Sequence, residues 1–278
     1  MNTPIINPNS ATLLDAYRAH PVSGLILQGG EYSGVRSIVE QLASDLLPGD
    51  ATNNIVIVEG DPGKSITIEQ IRDLKKSITT IATSSEAIGR VVIIHNAHTM
   101  TQEAQNALLK LIEEPASKTA VILHSNSINK LLGTIRSRCH TISILPITQN
   151  QAHKYADSHG YDKKQADKAL LLSKGESDLF VSLLEGDSQL LPDIQRAKDF
   201  LALSIFERLA LQKKYTKPET LLPLISGMLR ISEAAMRSSQ PASMSRWKRI
   251  VEQTHECEQL LEGRVNTKLV FLRLCTHT

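Results

Sequence analysis

At 278 residues the chain is long for one domain, and two or three modules sharing interfaces are expected. Its 31 Lys and Arg against 29 Asp and Glu exclude the basic excess of a dedicated nucleic-acid-binding domain, so any such role must rest on a local stripe or on partners. The dispersed Cys139, Cys257 and Cys275 make neither a disulfide framework nor a four-ligand zinc site, and they suit a reducing compartment.

The N-terminal stretch MNTPIINPNSATLLDAYRAH has no basic segment followed by a continuous apolar run, so no secretory signal is expected. No apolar run approaches the ~20 residues that span a bilayer, and a cytoplasmic chain with no membrane partner follows. Short β-rich runs then alternate with amphipathic helical patterns. Leu25–Gln28, Ile55–Glu59, Val91–His95, Val121–His124 and Thr141–Leu145 read as strands. The middle ones are apolar on successive residues, as in a parallel sheet covered on both faces.

Between them, Val35, Ile38, Val39, Leu42, Ala43 and Leu46 recur with helical period. A second helix carries Ile68, Ile71, Lys75, Ile78 and Ala82, with Thr67 and Gln70 spaced as a capping box. A third carries Ala104, Ala107, Leu108, Leu111 and Ile112, stopped by Pro115, whose ring disfavours helical geometry at Glu114. This alternation predicts a doubly wound α/β domain over residues 1–146. The strand signal ends after Pro146. Residues 147–191 carry short helical patterns punctuated by Gly160 and Gly175, and 192–278 read as a helical bundle broken near Pro218 and around Ser238–Ser243.

The turn after the first strand, GGEYSGVRS, places Gly29 and Gly34 at the spacing of the two P-loop glycines. A working loop next needs Lys for the phosphates and Ser or Thr for magnesium. Val35 and Arg36 stand there, and neither can do that work. The glycines alone fit an ordinary strand-to-helix turn equally well. A second Gly-Lys-Ser, Gly63 to Ser65, lacks the leading glycine, since Val58 holds that place, and reads as a polar turn. The expected magnesium-holding acids are missing where Val91–Ile94 runs into His95-Asn96-Ala97-His98. Those two histidines lack a third ligand in the sequence, and the run reads as an exposed turn at the sheet edge.

Further on, the run AQNALLKLIEEP from Ala104 to Pro115, TIRSRC from Thr134 to Cys139, IEQIRDL from Ile68 to Leu74, and VNTKL from Val265 to Leu269 occur together in order. They resemble the signatures of the AAA+ clamp-loader family of bacterial DNA polymerase III, and the two central motifs are highly specific. The resemblance implies an AAA+ P-loop-type parallel sheet with helices on both faces, a small helical lid (147–191), and an all-helical C-terminal collar for oligomerisation (192–278). It also points to the class of subunit that lacks a functional P-loop and does not hydrolyse ATP.

In that frame Arg138 is the arginine finger offered in trans to a neighbour's ATP, because guanidinium charge stabilises a transferring phosphoryl group. Arg136 is structural or auxiliary, and Cys139 a small packing residue. Asn126 matches the polar γ-phosphate sensor. Asp178, in the lid run SKGESD from Ser173, stands where active paralogues keep a second sensing arginine. Arg72, Lys75 and Lys76 fall on the helix that faces duplex DNA in the family, a solvated face being the equal alternative. No cysteine lies between Leu47 and Ile55, so the zinc module of many relatives is not expected. The implied cofactor complement is none, with ATP bound by the neighbour. The implied partners are tau/gamma and delta subunits, a sliding clamp and primed DNA. Two other readings stay open: a tau/gamma-type ATPase with an atypical P-loop, and a stand-alone DNA-binding module.

Overall fold

The structure is a computed structural model that describes residues 4–30, 32–47, 54–61, 64–78, 88–115, 118–186, 191–238, 241–263 and 265–277. The chain separates into two compact units. The first comprises Met1–Gln151 with Glu176–Asp178, and the second Ala152–Gly175 with Leu179–Thr278. The expected lid–collar boundary at 191/192 lies inside the second.

The first unit is built on α1 (Pro8–Ala19), β1 (Gly24–Gln28), α2 (Val35–Asp45), β2 (Ile55–Val58), α3 (Ile68–Ile78), β3 (Arg90–Ile94), α4 (Gln102–Glu113), β4 (Thr119–Ser125), α5 (Gly133–Arg136) and β5 (His140–Ser143). The strands form one parallel sheet in the order β2-β3-β4-β1-β5, each within about two residues of its expected bounds. Successive side chains of a strand point to opposite faces, and the core splits accordingly. Leu25, Leu27, Val91, Ile93 and Ile122 pack with Leu14 of α1 and Ile38, Val39 and Leu42 of α2. Ile26, Val92, Ile94, Val121 and Leu123 pack with Ile71 and Leu74 of α3 and Leu108 and Ile112 of α4. A strand apolar on both faces is thus explained by helices on both sides.

Local signals set the helix ends. Thr67 and Gln70 do form the capping box: Thr67 N–H donates to Gln70 Oε1 at 2.9 Å, and Gln70 N–H to Thr67 Oγ1 at 3.5 Å. The expected continuation of this helix to Ala82 lies outside the described residues. Helix α4 starts on Thr101, which accepts from Ala104 N–H, and stops before Glu114, held at φ −125° and ψ 69° as a residue preceding proline must be. Helix α1 was not read from the sequence, although Asn7 caps it by accepting from Asn9 N–H just ahead of Pro8, a favoured start.

The helical half contains α6 (Gln149–His159), α7 (Lys163–Ser173), α8 (Ser177–Glu185), α9 (Leu191–Ala202), α10 (Ile205–Ala210), α11 (Pro218–Ser238), α12 (Pro241–Glu262) and α13 (Thr267–His277). Pro218 opens α11 and Ser238 closes it, and α12 begins at Pro241, inside the break expected around Ser238–Ser243; residues 239 and 240 lie outside the described residues. The core of the second unit gathers Phe200, Tyr215, Met228, Ile250 and Phe271, with Tyr215 stacked on Phe271 at 5.1 Å. Asn266 of the VNTKL run opens α13 by accepting from Lys268 N–H at 3.0 Å, the ordinary work of an N-cap asparagine. Among the described residues no helix is long and apolar enough to cross a membrane.

Candidate functional site

The turn between β1 and α2 is where a phosphate would be cradled. Glu31 of this turn lies outside the described residues. Gly34 takes the left-handed conformation (φ +75°) at the α2 N-cap, which a residue without Cβ adopts at no steric cost. The loop closes on itself. Ser33 donates to Gly30 O through both its N–H, at 3.1 Å, and its hydroxyl, at 2.7 Å. Val35 is buried in the core beneath α2. The two positions that in a working loop carry an ammonium and a magnesium-binding hydroxyl therefore hold a core aliphatic and a guanidinium.

Arg36 is firmly engaged. Its two terminal nitrogens donate to the two carboxylate oxygens of Glu59 at 2.8 and 2.9 Å, and its Nε lies 3.3 Å from Glu40. Hydrogen bonding from Arg36 holds the Glu59 carboxyl below the usual range, partly offset by burial. Glu59 follows β2, and the parallel register Val58↔Ile94 sets it beside His95. The sheet end therefore does carry a carboxylate, supplied by the neighbouring strand rather than by β3. The signal is present in the sequence: parallel neighbours end at a common level, so Glu59 at the end of one strand falls beside His95 at the end of the next.

The histidines need a correction. His95 is completely buried and His98 half-buried, not parts of an exposed turn at the sheet edge, because β3 is an interior strand flanked by β2 and β4. His95 Nδ1 lies 3.4 Å from Nδ1 of His124, and its Nε2 lies 3.4 Å from Glu40. Burial, then the neighbouring His95, His98 and Arg36, pushes the His124 imidazole down to about 4. Among the described residues, no three His, Cys, Asp or Glu side chains come together in a way that could hold a metal ion. Pro62 and Gly63 of the second Gly-Lys-Ser and 48–53 of the loop before Ile55 lie outside the described residues.

Over the same turn lies the run Glu176-Ser177-Asp178, grouped with the first unit. Ser177 Oγ donates to Ser33 O at 2.9 Å, and Asp178 N–H to Tyr32 O at 3.0 Å. The Glu176 carboxylate sits directly against Gly30. Asp178 Oδ1 lies 2.9 Å from where a Cβ on Gly34 would project. Burial, and secondarily the Glu176 charge, raises the Asp178 carboxyl, a hydrogen bond with Ser177 opposing.

The Thr134–Cys139 turn is organised in the opposite sense. Ile135 is fully buried, and its carbonyl accepts from the N–H groups of Arg138 and Cys139, both at 3.1 Å. Upstream, buried Gln105 of α4 donates to Lys130 O at 3.1 Å and accepts from Leu132 N–H at 2.7 Å, tying the AQNALLKLIEEP helix to this turn. Cys139 Sγ packs so closely on Gly24 that a Cβ there would lie 2.9 Å away. Burial pushes the Cys139 thiol up to about 11, so it is a packing group. With its neighbours pinned, Arg138 projects outward, its side chain 41% exposed. It contacts Glu113 at 2.5 Å and Thr134 O at 3.1 Å. Arg136 is also exposed.

Asn126 is exposed just past the end of β4. On α3, Arg72 and Lys76 are exposed and Lys75 half-buried, with Lys76 paired to Asp73 at 2.9 Å. Burial, then the like charge of Lys110, pushes the Lys75 ammonium down. Lys110, on the adjacent α4, was missed as a member of this basic group because 35 residues of sequence separate it from Lys75.

Comparison with known proteins places this geometry in context. Residues 33–148 match the family model described as DNA polymerase III, delta subunit. A DNA polymerase III subunit delta' from Haemophilus influenzae is 29% identical over 140 residues, 50% of this chain and 41% of that protein. The subunit of the same name from Pseudomonas aeruginosa is 30% identical over 143 residues, 44% of this chain and 43% of the relative. A replication factor C small subunit from Aeropyrum pernix is 25% identical over 172 residues, 60% of this chain and 52% of the relative. The matches thus span less than half the length of the two delta' relatives. Among solved structures, a DNA polymerase III gamma subunit-related protein from Thermotoga maritima aligns with a TM-score of 0.59 and 18% identity, covering 96% of this chain and 97% of that one. At that identity the likeness bears on fold alone.

Proposed function

We propose that this chain, whose residues 33–148 match the DNA polymerase III delta subunit model and which aligns with delta' subunits at 29% and 30% identity, is a non-hydrolysing member of a clamp-loader ring of the AAA+ type. It supplies Arg138 in trans to the ATP of an adjacent tau/gamma-type subunit, acting with a delta subunit to load a sliding clamp on primed DNA. The observation that carries this reading is the contrast within one motif: Ile135 is buried while Arg138 points outward. An exposed ion pair such as Arg138–Glu113 contributes only ~0–1 kcal/mol. Arg138 can therefore leave Glu113 for a triphosphate at little cost, and a finger is worth roughly 10³–10⁵ in rate.

The handling of the site at the β1–α2 turn supports the non-hydrolysing half of the reading. Val35 lies in the core, and Arg36 is committed to Glu59 and Glu40. Val35 carries no charge to set against a phosphate, and the Arg36 guanidinium cannot ligate magnesium. On α3, Arg72, Lys75 and Lys76, joined by Lys110, are proposed to touch the DNA backbone, contacts that position without reading sequence.

The test is a reconstituted loader containing this chain, its ATPase and delta partners, the clamp and primed DNA. Arg138→Ala is expected to lower DNA-stimulated ATP turnover by about a hundredfold or more. Turnover equal to the parent's would remove the finger from consideration.

A further inference from the structure

We infer that the former nucleotide site of this chain has been refilled from within: Arg36 stands in for its cation, and Glu176–Asp178 forms an intramolecular anionic ligand at the α2 N-terminus, so that the site excludes nucleoside triphosphates sterically and electrostatically. The inference deepens the non-hydrolysing part of the proposed function and rests on that reading, not on the role of Arg138.

Three independent observations converge on it. The first is where the loop donors go. A phosphate cradle works by aiming free backbone N–H groups and a helix N-terminus at an anion. Here the Ser33 N–H and hydroxyl both turn inward to Gly30 O.

The second is occupancy. Glu176 rests on Gly30, and Ser177 Oγ and Asp178 Oδ1 lie 2.6 and 2.9 Å from the Cβ position of Gly34. The face of the loop that a phosphate would approach is therefore covered by the chain's own atoms. The cover is fastened by Ser177 Oγ to Ser33 O and by Asp178 N–H to Tyr32 O. Carboxylates beside a helix N-terminus meet the same favourable dipole that draws phosphate. An incoming triphosphate would have to displace them or face their charge, and juxtaposed like charges cost several kcal/mol.

The third is the cation. In a working site, lysine and magnesium are compensated by the bound nucleotide. Here Arg36 finds its anions in Glu59 and Glu40, with both Glu59 oxygens used. Both polarities of the absent complex are thus matched by residues of this polypeptide. Restoring a lysine and a threonine to the loop would then be insufficient to restore binding.

The experiment uses the purified full chain and a fluorescent methylanthraniloyl ATP analogue with magnesium. Four proteins are compared: the parent, Val35→Lys/Arg36→Thr, Glu176→Ala/Asp178→Ala, and the fourfold variant. Only the fourfold variant is expected to bind, at least tenfold more tightly than Val35→Lys/Arg36→Thr. Equal affinity of those two, binding by the parent, or no binding by a fourfold variant that unfolds as cooperatively as the parent overturns the inference. Hydrogen exchange over residues 29–38 provides a readout that needs no ligand. Exchange there is expected to be at least tenfold faster in Glu176→Ala/Asp178→Ala, and an unchanged rate also overturns it. Because the isolated chain is used, failure here leaves the Arg138 test in the reconstituted loader unaffected.

Discussion

Arg36, in the first turn of α2 after β1, and Arg138, in the turn between α5 and β5, are engaged in different ways. Arg36 is clasped by two carboxylates from its own unit, in a neighbourhood where loop donors, histidines and the Glu176–Asp178 run all bond inward. Arg138 has its backbone fixed by Ile135 and its side chain directed outward onto one exposed glutamate. Both guanidinium groups reach solvent, at 52% side-chain exposure for Arg36 and 41% for Arg138, but Arg36 meets two carboxylates, one of them through both oxygens, and Arg138 meets one. What separates them is how many fixed anions the fold brings within reach, which decides whether a charge is spent inside the chain or remains for a partner.

That contrast can be broken most decisively at Arg138. Arg138→Lys retains the charge but loses the planar fork. It is expected to keep less than about a tenth of the parent's stimulation of partner ATP turnover, with full activity showing that a point charge suffices.

The next effect is pH-dependent and belongs to the inward-facing region. His124 is held neutral down to about 4, whereas in the unfolded chain it takes a proton near 6.5. Between these values the unfolded state binds more protons, so stability falls as pH drops through that window, by up to ~3 kcal/mol. His95, also shifted down, acts in the same sense. Asp178, shifted up, acts in the opposite one, its burial penalty being relieved on acidification. Urea unfolding at pH 7 and pH 4.5 should show a smaller acid loss for His124→Leu than for the parent. An equal loss would place the acid sensitivity elsewhere.

A somewhat smaller effect is expected at the loop itself. Gly34→Ala must place a Cβ at φ +75° and within 2.6 Å of Ser177 Oγ. A loss of about 1–3 kcal/mol follows, measured as a lower urea midpoint at constant slope. Tolerance of alanine would mean that Ser177 and Asp178 yield easily, weakening the case for a fastened cover. The smallest effect concerns α3. Arg72→Ala should weaken DNA binding of the assembled loader alike for all sequences and reduce the salt slope by about one. An unchanged slope would return that face to solvent.

The strands were readable because two-sided burial writes itself into local sequence: Val91–Ile94 is apolar on successive residues, as a strand covered on both faces must be. Helix ends were equally legible where a side chain acts on its near neighbours, as at Thr67 and Pro115. His95 was misjudged for the converse reason. Its burial depends on the order β2-β3-β4, a property no local window contains. The Lys75–Lys110 proximity and the Glu59–Arg36 pair likewise bridge segments that only the packed sheet brings together.

By itself, then, the amino-acid order determined the parallel α/β character, the helical second half, the absence of lysine and hydroxyl at positions 35 and 36, and the motif containing Arg138. Each of these follows from side-chain chemistry or from periodicities of a few residues. Which arginine is neutralised internally, which histidine is buried, and what lies over Gly30 and Gly34 were decided only by the tertiary structure. Electrostatic and steric outcomes depend on distances through space, and folding sets Glu176–Asp178 against a loop about 145 positions earlier in the chain.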